Sequence, residues 1–304
     1  MRAALVWLVV AMVGLFALPA SLRSQPAAAP LSYAGKTVLV TGSTEGLGRS
    51  VALALAAQGA HVIVHGRNAE GGQAVLDEIA RSGKGSASFH PADFSSLATV
   101  REFADLIAAR YPKLDLLVNN AGILIPGQQP RRTSADGHEL QFQVNYLAGW
   151  ILANRLRPNL KAGAPSRVVN ISSVAGNAID FDDVMLEKPG ATGRGYGQSK
   201  LAQVTMTVAL APAFQKDGIT MIALHPATLM NTAMVSNMGM RPAATVEEGR
   251  DHVMSLVTAP TLEPGAYYVR GKVAPPPNPQ PNDPAAREKL VALSEKLTGV
   301  AAAK

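Results

Sequence analysis

The chain contains no cysteine, and only 5% of its 304 residues are aromatic. The missing thiols exclude disulfide bridges, cysteine nucleophiles and cysteine-ligated metals. The six histidines are scattered along the chain, and the segment nearest to a zinc-protease motif, HELQF at 138–142, lacks the second histidine. We therefore predict no metal site.

The shortage of aromatic side chains also bears on the formal net charge of +6. A basic chain can bind nucleic acid, but such binding uses clustered lysine and arginine beside aromatic rings that stack on bases. Here the basic residues are dispersed and no aromatic platform accompanies them. We predict no nucleic-acid partner, because a positive surface that attracts an anionic small ligand explains the charge more simply.

A glycine-rich loop stands between a predicted strand and a predicted helix. The strand is the β-branched run KTVLVTG at 36–42, and the helix is RSVALALAAQG at 49–59. Gly42, Gly46 and Gly48 let the backbone turn tightly and approach a pyrophosphate, which the amide groups of the helix N-terminus attract. The pattern predicts a dinucleotide-binding loop, with an ordinary tight turn as the alternative.

The alternation of strands and helices continues along the chain, and 47% of the residues are hydrophobic, enough to bury a sizeable core. The sequence therefore predicts one doubly wound α/β domain of Rossmann type with a mostly parallel sheet. Arg67 ends the second predicted strand, about 20 residues after the glycine loop, where a basic residue suits a ribose 2′-phosphate. Arg67 thus favours NADP(H) over NAD(H), although Glu45 inside the loop argues weakly the other way.

Tyr196 and Lys200, in YGQSK, are four residues apart and share one face if the segment is helical. A nearby ammonium favours the phenolate form, so we expect a lowered pKa for Tyr196 and proton transfer near neutral pH. The same spacing recurs at Tyr268 and Lys272, but Gly271 indicates a strand end and turn there. Only Tyr196 and Lys200 stand at the start of a segment with a helical pattern. The alternative to a catalytic pair is that both residues lie on a solvent-exposed helix face.

In this order the motifs resemble those of the short-chain dehydrogenases/reductases over residues 35–299. Asp93 stands where a family aspartate contacts adenine, and LDLLVNNAG brings Asn119 and Asn120 to the end of the fourth strand. The motif RVVNISS ends the fifth strand, and LHPAT at 224–228 ends the sixth, beside the nicotinamide. The resemblance implies a cofactor site made of Thr41, Gly42, Ser43, Glu45, Gly46, Leu47, Gly48, Arg67, Asp93, Asn119, Ala121, Gly122, Tyr196, Lys200, Pro226 and Thr228.

The resemblance also implies catalytic roles. Tyr196 would be the general acid in reduction and the base in oxidation, and Lys200 would lower its pKa and bind the nicotinamide ribose. Ser173 would polarise the substrate carbonyl, since the second serine of the motif is the catalytic one, while Ser172 bonds to backbone. Asn145 would hold a water that passes protons from Lys200 to solvent.

Three features depart from the simplest family pattern. Residues 174–195 form a long insertion before Tyr196, and its acidic–aromatic segment is similar to the branch with retinol dehydrogenases, the WW-domain oxidoreductase and light-dependent protochlorophyllide reductase. Ala227 replaces the usual glycine after Pro226, so the backbone there would be less permissive. The threonine that follows this loop in the family corresponds to Thr228 or Thr232.

The predicted function is NADP(H)-dependent interconversion of a carbonyl and an alcohol on a small or lipophilic molecule. The methionine-rich segment 230–249 suits a lid over an apolar substrate, with an ordinary helix pair as the alternative. A catalytically silent dinucleotide-binding scaffold and an epimerase or dehydratase remain alternatives. An oligomer is plausible on this reading, and the sequence does not name the substrate.

The first residues predict a location. Residues 3–22 are uncharged and lie between Arg2 and Arg23, long enough for a membrane span, although a signal peptide cleaved after Ala20 has a similar pattern. We expect residues 1–30 to be an anchor or signal with its linker, and 31–304 to be the catalytic domain. Because NADPH is a cytosolic reductant, an anchored enzyme with a cytosolic domain is favoured over an exported one.

Overall fold

The computed structural model describes residues 29–304, so the predicted anchor or signal at 3–22 lies outside the described residues. Within the described part, no helix combines the length and apolar character that a bilayer crossing requires. The strands are β1 (Thr37–Val40), β2 (His61–Gly66), β3 (Ser86–Pro91), β4 (Leu116–Asn119), β5 (Ser166–Ile171), β6 (Ile219–His225), β7 (Tyr267–Val269) and β8 (Lys272–Ala274).

The helices alternate with these strands up to β6. They are α1 (Gly46–Ala57), α2 (Ala69–Ser82), α3 (Leu97–Arg110), α4 (Leu140–Phe142), α5 (Ala148–Arg155), α6 (Arg157–Ala162), α7 (Gly195–Lys216), α8 (Ala233–Ser236), α9 (Val246–Val257) and α10 (Pro284–Thr298). A π-helical turn at Gln143–Leu147 joins α4 to α5, and 3₁₀ turns occupy Thr192–Arg194 and Gln280–Asn282.

The strands form one sheet in the order β3-β2-β1-β4-β5-β6-β7-β8. Every neighbouring pair is parallel except β7 and β8, which form an antiparallel hairpin. Central strands such as β1 and β5 are buried almost throughout, because helices cover both faces of the sheet. The doubly wound α/β prediction is confirmed, and the strand order reverses between β1 and β4, where ligands of such folds bind.

Two hydrophobic cores lie on opposite faces of the sheet. Side chains of α1 and α9 build one core, and those of α3, α5 and α7 build the other. Helix α10 closes the second core: the Ser294 hydroxyl bonds to the Tyr146 phenol at 2.6 Å, and the Trp150 indole donates to the carbonyl of Val300 at 3.1 Å. As a result α7 is buried on nearly all sides rather than along one stripe.

The insertion between Ser173 and α7 is ordered by side chains that bond to its backbone. Asp183 accepts the amide protons of Glu187 and Lys188 at 2.7 and 3.1 Å. The Gln280 side chain, from the proline-rich segment before α10, accepts from the amide of Ile179 and donates to its carbonyl. The proline-rich segment therefore clamps the insertion onto the domain. Asp283 caps α10, and Gly299 ends it in the left-handed conformation.

Arg167 ties the central strand β5 to the end of α9. Its guanidinium is buried and donates to the carbonyls of Leu256 and Val257 at 2.7 Å each, and also to that of Ala259. These carbonyls end a helix, where a positive charge also meets the negative end of the helix dipole. The guanidinium adds charged donors to the last turn of α9, where the Tyr33 phenol also donates to the carbonyl of Val257.

We expect Arg167→Met to lower the free energy of unfolding by about 2–4 kcal/mol, because buried carbonyls lose charged donors. The measurement is urea denaturation followed by circular dichroism, with Arg110→Met, an exposed arginine at the end of α3, as the control. Equal denaturation midpoints for the two variants would contradict this account of Arg167.

Candidate active site

A cleft of about 1400 Å³ lies at the carboxyl ends of the parallel strands, over the point where the strand order reverses. Its lining runs from the glycine loop at one end to Tyr196 and Lys200 at the other. Pockets for a single small molecule occupy about 300–1,000 Å³, so this cleft has room for a dinucleotide and a second molecule together.

The glycine loop requires glycine for two separate reasons. Gly42 has a φ of +62°, and a Cβ on it would lie 2.8 Å from the Cα of Ala121. A Cβ on Gly48 would collide with the Gly42 carbonyl and the Asn120 amide. Asn120 closes the loop by donating to the carbonyls of Thr41 and Gly42 at 2.8 and 3.0 Å. The glycine loop and the start of α1 are thereby packed closely against the loop after β4.

Three of the predicted cofactor residues lie behind the wall of the cleft. The Thr41 hydroxyl accepts the amide protons of Asn120 and Ala121, and Ser43 donates to the carbonyl of Val40. Asn119 donates to Asn170 on the neighbouring strand β5 at 2.9 Å. All three side chains are buried. Their side chains hold the loops of the cleft in place from behind, and their contribution to cofactor binding stays a prediction.

His65 supports the glycine loop, and the sequence patterns did not single it out. Its Nδ1 accepts the amide proton of Gly42 at 3.0 Å, so its Nε2 carries the proton that bonds to the carbonyl of Ala92 at 3.2 Å. The ring stacks on Phe94 at 4.1 Å between centroids. Burial lowers the pKa of His65 to about 4, so the ring stays neutral and Nδ1 remains an acceptor.

Two guanidinium groups reach the part of the cleft beyond the glycine loop. Arg67 is exposed there, directly after β2, and Asp93 is exposed after β3. Arg49, on the second turn of α1, also lines this region and pairs with Glu78 of α2. Arg49 belongs to the helix that the sequence predicts, but its side-chain direction could not be read from the pattern.

Tyr196 and Lys200 both begin α7 and line the opposite end of the cleft. The Lys200 Nζ lies 5.6 Å from the centre of the Tyr196 ring and donates to the carbonyl of Ile171 at the end of β5, at 2.8 Å. Glycines flank Tyr196, and a Cβ on Gly195 or Gly197 would collide with Gln141 or Asn177. The start of α7 is therefore held against its neighbours at close range.

The electrostatics of this pair differ from the expectation of a lowered phenol pKa. Burial raises the pKa of Tyr196, and its hydrogen bond with the Ser173 side chain only partly offsets that effect. Burial also lowers the pKa of Lys200 to about 7, so the ammonium is only half populated at neutral pH. Sequence spacing placed the pair correctly, but the loss of hydration on both groups outweighs their mutual attraction.

The two serines after β5 have different surroundings. The Ser172 hydroxyl is buried and donates to the carbonyl of Lys200 at 2.7 Å, which agrees with the expectation that it bonds to backbone. The Ser173 hydroxyl accepts the amide proton of Ala175 at 3.1 Å, and it lies close enough to the Tyr196 phenol to lower the pKa of that phenol. Ser173 lines the cleft together with Tyr196.

Asn145 lies in the π-helical turn and stands behind the cleft wall. Its carboxamide accepts from the amide of Ile123 at 2.7 Å and donates to the Ile123 carbonyl and the Ser199 hydroxyl. A Cβ on Gly122 would lie 3.4 Å from both Asn145 Oδ1 and Lys200 Nζ. The side chain thus fixes the loop after β4 close to the lysine, and its role with a water remains a prediction.

The loop after β6 lines the cleft with Pro226, Thr228 and Thr232. Ala227 is buried and has an ordinary φ, so glycine is not needed at that position. The left-handed residue is Leu229, with φ +49°. Thr228 bonds to Nε2 of His225 at 3.0 Å, whereas the Thr232 methyl group would lie 3.4 Å from a Cβ on Gly46. Thr232 is therefore the threonine beside the glycine loop.

The second tyrosine–lysine pair with the same spacing lies at a strand end and turn, as the sequence predicts. Tyr268 and Lys272 lie on β7 and β8, and Arg270 and Gly271 form the turn between them with positive φ values. Tyr268 is buried and accepts the amide proton of Glu263, while Lys272 is exposed. This pair forms no joint site.

The mouth of the cleft beside Tyr196 is mainly apolar. Its side chains come from the loop after β4, from Val174 and from the methionine-rich segment around α8. They are Ile123, Leu124, Val144, Val174, Met234 and Met238. Val174 and Met240 are each 46% exposed, and both line the cleft.

Among residues 29–304, no group of three or more His, Asp or Glu side chains has the arrangement of a metal site. A buried histidine such as His225 bonds to protein partners instead, and burial lowers its pKa to about 4.

A family model described as short chain dehydrogenase matches residues 36–242. Human retinol dehydrogenase 13 is 35% identical over 292 residues, which cover 88% of this chain and 86% of that protein. Human retinol dehydrogenase 12 is 34% identical over 247 residues, with 77% of each chain covered. The Pseudomonas aeruginosa RhlG–NADP complex is 28% identical with a TM-score of 0.64, covering 78% of this chain and 95% of that one.

The burial of Lys200 predicts a stability effect that depends on pH. The pKa of about 7 lies below the value of ~10.4 in an unfolded chain, so the unfolded state binds more protons between these values and stability rises with pH there. The loss of stability caused by burying the charged ammonium is fully present below about pH 7. Replacing the lysine by an apolar side chain removes it.

We expect Lys200→Met to raise the thermal midpoint at pH 7 by several degrees, corresponding to about 3 kcal/mol, and the gain to shrink as the pH approaches 10. The measurement is differential scanning calorimetry at pH 7 and 9.5. Lys216→Met, at the exposed end of the same helix, is the control and should show no such pH-dependent gain. A destabilised Lys200→Met at both pH values would contradict the assignment.

Proposed function

Because the chain belongs to the short-chain dehydrogenase/reductase family and is an NAD(P)-dependent oxidoreductase, we propose that it reduces the carbonyl group of a lipophilic small molecule with NADPH. Tyr196 is the proton donor, Ser173 orients the carbonyl, and Lys200 and Asn145 support the proton path. One observation carries the proposal: Tyr196, Ser173 and the buried Lys200 line the same cleft as the glycine loop, with the Lys200 Nζ 5.6 Å from the centre of the Tyr196 ring.

The chain fits a dinucleotide by the shape of its backbone. Gly42 and Gly48 let the loop pack closely against its neighbours, and the start of α1 at Gly46 lines the cleft. The unpaired amide groups of a helix N-terminus attract a pyrophosphate. Arg67 and Asp93 stand at the ribose and adenine end, and Pro226 and Thr228 at the nicotinamide end. The bound cofactor supplies the hydride for the carbonyl carbon.

The chemistry of the chain's own residues then follows from the geometry. The Ser173 hydroxyl and the Tyr196 phenol line the same part of the cleft, close enough for Ser173 to lower the pKa of Tyr196, so a carbonyl oxygen that enters there can meet both donors. Tyr196 gives its proton to that oxygen as negative charge develops on it, and Ser173 stabilises the same charge. Lys200, held by the Ile171 carbonyl with its Nζ 5.6 Å from the centre of the Tyr196 ring, is the group that we propose returns a proton to the phenol.

Burial supports the reductive direction. A raised pKa keeps the Tyr196 phenol protonated at neutral pH, which is the acid form that reduction consumes. Oxidation would need the phenolate, which burial disfavours.

NADP(H) is the proposed cofactor because two arginines stand where a 2′-phosphate would lie. Arg67 is exposed and Arg49 is held by Glu78, so both can meet an anion without reorganising the fold. The similar Pseudomonas aeruginosa protein was solved with NADP. The carboxylate of Glu45 would repel a 2′-phosphate, but this repulsion is weak because the side chain is exposed to water.

The lipophilic substrate class rests on the apolar mouth of the cleft, where Leu124, Val174 and Met234 surround the entrance to Tyr196. Unbranched methionines adapt to different apolar shapes. The names of the two human relatives agree with an alcohol or carbonyl on an apolar molecule. We also propose that residues 3–22 anchor the protein in a membrane and that its catalytic domain lies in the cytosol.

The first test follows NADPH absorbance with a panel of ketones, aldehydes, retinoids and steroids. We expect turnover with at least one lipophilic carbonyl, and a loss of at least about 100-fold in kcat for Tyr196→Phe, which keeps the ring but removes the proton. Ser173→Ala should lose activity as well.

Ser172→Ala is the matched control for the neighbouring serine, and it should retain at least a substantial part of the activity. Tight NADPH binding without turnover on any member of the panel would favour a silent scaffold. Full activity of Ser173→Ala with an inactive Ser172→Ala would show that the wrong serine was chosen.

The second test concerns the cofactor. We expect Arg67→Asp to lower kcat/KM for NADPH by about 10-fold or more and to leave kcat/KM for NADH unchanged or higher, because a carboxylate repels the 2′-phosphate and can bind a 2′-hydroxyl. Arg81→Asp, on the exposed face of α2, controls for the change in net charge. Equal use of NADH and NADPH by the unmodified protein would overturn the cofactor proposal.

A further inference from the structure

We propose that Tyr267 is a positioning residue that holds Ser173 in register with Tyr196. This inference rests on the proposed function, because it concerns how the serine of that site is placed. Tyr267 begins β7, is buried, and donates its phenol proton to the backbone carbonyl of Ser173 at 2.8 Å. The contact joins two residues that are 94 positions apart in the chain.

Ser173 lies where the chain leaves the sheet, so its backbone needs an external anchor. On the preceding side, Ser172 is fixed by the bond from its amide to the carbonyl of Leu224 at 2.7 Å and by its own hydroxyl on Lys200. On the following side, Val174 is 46% exposed at the mouth of the cleft. The Tyr267 phenol therefore secures the last peptide before the chain turns out towards solvent.

The Tyr267 ring is itself held by the elements that carry the site. It packs against Ala223 of β6 and Val204 of α7, the helix that begins with Tyr196 and Lys200. Burial raises the pKa of Tyr267, so the phenol remains a donor throughout the working pH range. One side chain thus touches the strand, the helix and the serine turn, and it fixes the distance between Ser173 and the start of α7.

The neighbouring residue offers a matched control. Tyr268 is equally buried, but its side chain points to the other face of the sheet, where it belongs to the core formed by α1 and α9. Its phenol oxygen accepts the amide proton of Glu263 at 3.1 Å and has no contact with the serine turn. Removing the phenol hydroxyl at either position therefore has a similar effect on packing. Only the change at Tyr267 removes a hydrogen bond to Ser173.

The test compares Tyr267→Phe with Tyr268→Phe in NADPH-dependent reduction of the best carbonyl substrate. We expect kcat of Tyr267→Phe to fall about 10-fold, because a displaced Ser173 no longer meets the carbonyl oxygen, while the KM for NADPH stays unchanged. The bond between Ser173 and Tyr196 lowers the pKa of the phenol, so its loss should move the basic limb of the pH–rate profile to higher pH. Tyr268→Phe should leave both kcat and the profile unchanged.

A double-mutant cycle separates positioning from general loosening of the fold. If Tyr267 acts through the Ser173 hydroxyl, adding Tyr267→Phe to Ser173→Ala should cause no further loss of kcat. Melting temperatures of all variants are measured alongside, and similar decreases for Tyr267→Phe and Tyr268→Phe are expected. These decreases cannot produce a selective shift of the pH profile.

The two possible failures are distinguishable. Full activity of Ser173→Ala would overturn the proposed function of the site. An inactive Ser173→Ala combined with unchanged kcat and profile for Tyr267→Phe would overturn only the positioning role. Losses that multiply independently in the double variant, or equal kinetic losses for both tyrosine variants, would also overturn it.

Discussion

Burial of Lys200 is the constraint on which the site depends. The ammonium must leave water to donate to the Ile171 carbonyl, and this desolvation lowers its pKa to about 7. The same enclosure raises the pKa of Tyr196. The second pair with this spacing has no such enclosure, because Lys272 is exposed and Tyr268 is bonded separately to the amide of Glu263. Proton chemistry near neutral pH therefore arises from the packing around α7.

That packing is supplied largely by the last third of the chain. Helix α10 covers α5 and α7, and the bonds to Tyr146 and Trp150 hold it there. Gln280 clamps the insertion before α7, and Tyr267 reaches the carbonyl of Ser173. None of these residues needs to touch a substrate. The C-terminal segments act by excluding water and by fixing the elements on which the reacting side chains stand.

The sequence predicted the parts of the site that follow from local patterns. The glycine loop, the strand ends and the helical Tyr196–Lys200 pair depend on spacing, and spacing is visible in one dimension. The direction of side chains at the strand ends was less predictable: Thr41, Ser43 and Asn119 turn away from the cleft, whereas His65 supports it from below. The pKa of Tyr196 was predicted in the wrong direction, because burial is a tertiary property that no four-residue spacing reveals.

The central claim is that desolvation, set by the fold, tunes the protonation of the Tyr196–Lys200 pair. NMR of the intact protein with 13C-labelled lysine side chains measures it directly, and Lys200→Met assigns the resonance. The account predicts one lysine that titrates near pH 7 and is absent from the variant spectrum, while exposed lysines titrate near their usual value of ~10.4. A spectrum in which every lysine, including Lys200, titrates above pH 9 would contradict the account.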